Sequence, residues 1–216
     1  MRYQSLFFLF LVCLFFMPMQ FWAQSHKLQF KTTHGTFKVV LYDFTPKHQQ
    51  LFLNAIKDDV YKDALFNRVI ENFVVQGGEH DDDIALKEKD LPIKEHYRFP
   101  AEFDSRAFHK IGALGAGRDD NPQKASFLNQ IYFVVGKPVT ETDLGNIEQK
   151  KEIKFTKEQR ETYLSKGGLP RLDGDYTVFG EVYEGLDVLL KISKLKTNEK
   201  DAPLKPVSFE IIDIKE

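Results

Sequence analysis

Residues Leu65 to Gly78 read Leu-Phe-Asn-Arg-Val-Ile-Glu-Asn-Phe-Val-Val-Gln-Gly-Gly, and this run leaves its stretch of chain few ways to fold. Phe66, Val69 and Ile70 are apolar. Phe73, Val74 and Val75 are aromatic or β-branched, as a pleated strand prefers. Glu71-Asn72 supplies turn chemistry between the two groups, and Gly77-Gly78 ends the run. The pattern predicts two short strands joined by a turn. Strands alternate faces with period two, which places Phe73 and Val75 on one face and Val74 and Gln76 on the other. Arg68 lies before the turn, and periodicity does not decide whether it reaches the face of Gln76.

The flanking sequence continues in the same style. Leu28 to Thr32 and Phe37 to Tyr42 alternate on either side of His34-Gly35, which predicts an antiparallel hairpin. Thr45-Pro46 opens a helix, with Thr45 as N-cap and Leu51, Phe52, Ala55 and Ile56 at helical spacing. Residues 79–110 are polar, and Glu79-His80-Asp81-Asp82-Asp83 is expected to be an acidic surface loop. It lacks the spacing and central glycine of a calcium-binding loop. Gly112 to Arg118 is glycine-rich, but Asp119-Asp120-Asn121-Pro122 follows it where a dinucleotide site needs a helix. The charged region 137–168 is expected to be a surface insertion, with Thr156 capping a helix through Tyr163. Asp173-Gly174 signals a turn, Leu186, Leu189 and Leu190 a short helix, and Val207 to Ile214 a closing strand.

Three of these segments resemble the cyclophilin-type peptidyl-prolyl cis-trans isomerases: Phe66 to Glu79, Ala125 to Gly136, and Leu172 to Gly180. The resemblance spans about residues 28 to 214 and implies a mainly β fold. The expected form is a closed eight-stranded antiparallel barrel capped by two helices, with the charged, partly helical insertion added. It implies Arg68 as the catalytic residue. It implies a substrate site of Phe73, Val74, Gln76, Gly117, Arg118, Gln130, Tyr132, Leu172 and Tyr176, with the Gly117 strand offering its backbone to an extended peptide. Several positions depart from the family pattern: Val74 replaces a methionine, Leu128 a glycine, Asn129 a serine, Ile131 and Tyr132 phenylalanines, Arg171 a tryptophan and Tyr176 a histidine. The implied substrates are proline-containing polypeptides, with no cofactor and no metal. A catalytically weak peptide-binding or chaperone domain on the same scaffold stands as the alternative.

The 216 residues suit one domain with a sizeable core, and a monomer is expected. Lys+Arg of 30 against Asp+Glu of 32 gives a formal charge of -2, which carries no nucleic-acid footprint. Residues 1–25 read as targeting sequence. Arg2 precedes an unbroken apolar run from Leu6 to Met19, and Ala23-Gln24-Ser25 fits a cleavage site. Export to the periplasm is the expectation, with residues 26–216 as the mature domain. An uncleaved anchor facing the periplasm is the alternative and the one implied link to a membrane. Cys13 sits in a poor lipidation context, and cleavage after Ser25 leaves no cysteine for disulfide, thiol or thiolate chemistry.

Overall fold

The computed structural model describes residues 26–214; the targeting segment expected at 1–25 lies outside them. Eight strands form one antiparallel sheet: β1 (Lys27–Thr32), β2 (Gly35–Leu41), β3 (Phe66–Val69), β4 (Val74–Gly78), β5 (Ala113–Ala116), β6 (Gln130–Val134), β7 (Val178–Glu184) and β8 (Phe209–Asp213). Their spatial order is β3-β4-β6-β5-β7-β2-β1-β8. Register shifts at Phe66/Arg68, Lys38/Val39 and Leu114/Gly115 bend the sheet, because an extra residue raises local twist.

The expectation of a closed barrel is not met. The sheet is an open, curled half-barrel. Its end strands, β3 and β8, share no ladder and meet only beyond β3's start, at an isolated bridge between Leu65 and Ser208. Two hydrogen bonds make that seam, Phe66 N–H to Val207 O at 2.9 Å and Phe209 N–H to Ala64 O at 3.1 Å.

One face of the sheet holds the main core. Leu28 and Phe30 from β1 meet Phe37, Val39 and Leu41 from β2, all essentially without solvent contact. The Phe30 and Phe37 rings stack at 5.0 Å, and both meet Phe133 in T-shaped contacts. The alternation in the hairpin therefore translates directly into an aromatic core. A second apolar cluster, including Val74, Tyr132, Val134, Leu172 and Val178, packs on the opposite face, as its strand residues alternate with those of the main core.

Two capping helices were expected, and the described residues hold five: α1 (Pro46–Lys57), α2 (Asp81–Glu88), α3 (Glu141–Lys151), α4 (Lys157–Lys166) and α5 (Leu186–Ile192). Helix α1 lays Phe52 and Ala55 on the core. Thr45 stands at its N-cap position but makes no side-chain cap. The Glu102 carboxylate, far away in sequence, accepts from the Lys47 and His48 N–H groups instead, at 3.2 and 2.9 Å. A negative charge at these orphan donors also suits the helix dipole. The predicted acidic loop is helix α2. His80 caps it by accepting from the Asp82 N–H, and Asp81, Asp82 and Asp83 fill its first turn, so the acidic run is a helix-start signal.

Helices α3 and α4 occupy the insertion, and each begins with a full capping box, at Thr140/Asp143 and Thr156/Gln159. The insertion has a small core of its own, where Phe108 from the main domain joins Val139, Leu144, Phe155 and Tyr163. None of the described helices is long and apolar enough to cross a membrane.

Candidate active site

Arg68 and Gln76 are cross-strand partners in the β3–β4 ladder. Directly opposed residues of an antiparallel pair project to the same side. The register shift at Asn67 makes this possible. Without it, Arg68 would share the face of Phe66, which is 1% exposed inside the core. Arg68 keeps a half-buried guanidinium 3.5 Å from the Asp201 carboxylate. Exposed pairs of this kind contribute about 0–1 kcal/mol, so Asp201 orients Arg68 more than it stabilises the fold.

Gln76 is 6% exposed, and its Nε2 has no hydrogen-bond partner among the described residues. An unmet buried donor costs about 1–3 kcal/mol. Its surroundings explain why the cost is tolerated. Arg68, Gln76 and Val74 line a cleft of about 120 Å³ together with Phe73, Tyr132, Leu172 and Tyr176. Gly117, Arg118 and Gln130 line it too. All ten residues singled out by sequence therefore converge on one cavity. Phe73 joins Val74 and Gln76 because it precedes the strand, after Asn72 in the left-handed region at φ 62°, and so escapes the alternation.

Two arginines cap the aromatic rim. Arg171, at the family's tryptophan position, lies 4.9 Å from the Phe73 ring centroid. Arg118 lies 4.8 Å from that of Tyr176. Each gives a cation–π contact in place of an apolar wall. The Gly117 N–H donates to Gln130 O at 2.9 Å, and its carbonyl accepts from Phe127 N–H at 2.8 Å. Both backbone groups of Gly117 thus have partners within the domain. What Gly117 provides is room, since a Cβ there would overlap the Gln130 side-chain amide. Gln130 in turn donates from Nε2 to Asp81 Oδ1 at 2.6 Å and to Glu79 O at 3.1 Å.

Asp81 also lines the cleft and was missed in the sequence, where it is one of three consecutive acids. Two further residues were missed behind Tyr132. Its hydroxyl lies 2.7 Å from His109 Nε2, and His109 Nδ1 lies 2.6 Å from Asp173 Oδ1. Burial holds the Tyr132 phenol well above its ordinary pKa, with the charges of Tyr176 and Asp173 acting in the same direction. The hydroxyl is therefore protonated at any working pH.

Another constellation has the look of chemistry. His48 Nδ1 lies 3.1 Å from Glu102 Oε2, and His48 Nε2 lies 3.1 Å from Ser126 Oγ. His48 and Ser126 are each 1% exposed, so no substrate reaches the serine. This trio ties α1 to the segment before β6. A larger hollow of about 670 Å³ is lined by Lys31, Asp59, Tyr61, Lys62, Asp63 and Glu210 among others, and holds none of the residues of the cleft.

Fold and cleft together define a peptide-binding β-protein: a charged donor and an unmet amide donor face an aromatic slot of ring size. The sequence matches the family model for cyclophilin type peptidyl-prolyl cis-trans isomerases over residues 27–215. The chain belongs to that family, and its activity is isomerisation of Xaa-Pro peptide bonds. A Staphylococcus epidermidis protein named, provisionally, a peptidyl-prolyl cis-trans isomerase is 33% identical, covering 88% of this chain and 92% of that protein. A counterpart from Staphylococcus aureus strain USA300, named in the same way, is 30% identical over the same shares. The crystal structure of a Cryptosporidium parvum cyclophilin type isomerase superposes with a TM-score of 0.62 at 17% identity, covering 89% of this chain and 99% of that one. A second structure of that protein, in the presence of the dipeptide Ala-Pro, covers 89% and 100% with the same score.

Proposed function

We propose that the Arg68 cleft binds the Xaa-Pro segment of an exported polypeptide and lowers its isomerisation barrier by holding the twisted amide. Rotation costs about 18–20 kcal/mol because it breaks amide resonance, and no covalent nucleophile is required to reduce it. The site must bind the twisted form better than either planar form. As the bond twists, the prolyl nitrogen regains its lone pair. The Arg68 guanidinium, with its fixed donors and permanent charge, hydrogen-bonds that nitrogen. Gln76 Nε2 donates to a substrate carbonyl and so fills the unmet donor. Phe73, Val74, Tyr132 and Leu172 hold the proline ring by apolar contact, and Tyr176 closes one side.

The observation that carries these roles is the placement of Arg68 opposite Gln76, whose buried Nε2 has no partner among the described residues. The presence of Ala-Pro with the Cryptosporidium parvum relative supports a short prolyl peptide as the minimal substrate. Export is supported by the apolar run from Leu6 to Met19 and by Ala23-Gln24-Ser25. Accordingly the clients are proline-containing proteins folding in the periplasm. The test has two arms. Catalysed cis-to-trans exchange on an Ala-Pro peptide should depend on Arg68 and Gln76. The intact mass of the protein from its native host should correspond to a chain beginning near His26; a chain still carrying residues 1–25 would replace the cleaved reading with the anchored one.

A further inference from the structure

Tyr132 stands where the family pattern has a phenylalanine, so a hydroxyl has been added beside an apolar slot. Such a group is a liability there unless a partner holds it. The structure supplies that partner from outside the cleft. His109 is 1% exposed, and its ring lies nearly parallel to that of Tyr132, 8° apart, with Nε2 at 2.7 Å from the hydroxyl. Asp173 Oδ1 accepts from the His109 backbone N–H at 2.9 Å and sits 2.6 Å from its Nδ1. A carboxylate only accepts, so Nδ1 carries the proton, and in the neutral imidazole Nε2 is then the acceptor. The Tyr132 O–H therefore donates to Nε2 and points away from the substrate.

The chain of contacts continues into the insertion. The Tyr163 hydroxyl on α4, with its residue fully buried, donates to Asp173 Oδ2 at 2.6 Å. Gly115 clears the other side, since a Cβ there would overlap the Tyr132 ring and hydroxyl.

We propose that His109 and Asp173 are positioning residues of the isomerase site, holding the Tyr132 hydroxyl out of the proline pocket, with Tyr163 linking this arrangement to the insertion. Tyr132 then meets the substrate with its ring and behaves as an aromatic wall. The insertion is a brace behind that wall. This inference rests on the reading that Tyr132 lines the proline pocket.

The test is a double-mutant cycle of H109F and Y132F, read as KM and kcat on an Ala-Pro peptide, with F73A as a control. H109F leaves the hydroxyl without its acceptor and raises KM about tenfold, within the range of an unmet buried group, while kcat changes less. In the Y132F background the same substitution changes KM by less than about threefold, because no hydroxyl remains to be held. An equal effect of H109F in both backgrounds overturns the inference, since His109 then acts through the fold at large. If F73A leaves KM unchanged, the pocket assignment itself falls, which is a distinguishable result. Should H109F not fold, Y163F provides the second variant. It removes only the donor to Asp173, and it should shift the downfield proton resonance of His109 Nδ1–H in the folded protein. An unmoved resonance overturns the link to the insertion.

Discussion

Arg68 faces Gln76 across the β3–β4 ladder because Asn67 is an extra residue in β3. The same shift sends Phe66 into the aromatic core, 4.6 Å from the Phe209 ring, and Arg68 out to the cleft. One bulge thus separates a stability residue from a functional one two positions away. Bulges recur beside active sites for this reason, since they re-aim a side chain without disturbing the rest of the strand.

Phe73 is the cleft residue most exposed to a simple packing test. Its ring is half-buried, covered on one side by Arg171 and open to the cavity. F73A removes apolar contact that a proline ring would bury at about 25 cal/mol per Å². Catalytic efficiency on a neutral Ala-Pro peptide should fall at least tenfold, or about 1.4 kcal/mol. Added salt should not reproduce the loss. Full activity in F73A, with turnover abolished by salt, would point to recognition by charge.

Gly117→Ala tests the room behind Gln130. A Cβ at this position meets the Gln130 amide, which is held by Asp81 Oδ1 and Glu79 O and so cannot simply swing aside. G117A should break at least one of these bonds and raise KM about fivefold, the equivalent of about 1 kcal/mol for one hydrogen bond. Isothermal titration with a non-isomerising prolyl peptide analogue reads the same change as affinity. Unchanged affinity would mean that Gln130 is not held as the structure shows.

Stability should fall in mild acid because of His48. Burial pushes its imidazole below the ordinary 6.5, against the opposing pull of Glu102. The unfolded chain then binds a proton that the folded protein resists. Stability is complete above about pH 6.5 and declines as pH falls below it, with a limiting slope of about 1.4 kcal/mol per pH unit for one proton. Asp104, held down to about 2 by its hydrogen bond to Arg106, contributes only nearer pH 4 and below. Urea midpoints between pH 7.5 and 5 should therefore drop in the wild type and stay flatter in H48Q. Parallel curves for the two proteins would remove His48 as the cause.

The parts of this fold that were legible in the sequence are those written in local periodicity. The β1–β2 hairpin, α1 and α5 carry their buried residues at regular spacing, and the two strands around Glu71-Asn72 are marked by their apolar and β-branched residues and the turn between them. The ten cleft residues were legible through the family resemblance, because three contiguous segments carry eight of them and the glycine-rich stretch before Asp119 carries Gly117 and Arg118. What escaped notice is long-range. Glu102 caps α1 from another segment, Asp201 orients Arg68 from the loop before β8, and His109 reaches Tyr132 from a different strand's approach. No local pattern encodes such pairings. The Asn67 bulge was invisible because Phe66 and Arg68 fit strict alternation poorly without saying where the extra residue sits. The closed barrel was an inference from family likeness, and the end strands β3 and β8 meet at a single bridge rather than a ladder.

The central claim is that Arg68 stabilises the twisted prolyl amide. The most direct measurement is the rate of catalysed cis-to-trans exchange of an Ala-Pro peptide by R68A, with circular dichroism recorded on the same sample. The guanidinium is partly exposed and its one ion pair, with Asp201, is weak, so the fold should be retained. Loss of a donor aimed at the transition state should lower kcat about 10²–10³-fold, while peptide affinity changes far less. A folded R68A protein that isomerises the peptide at near wild-type rate would contradict the account.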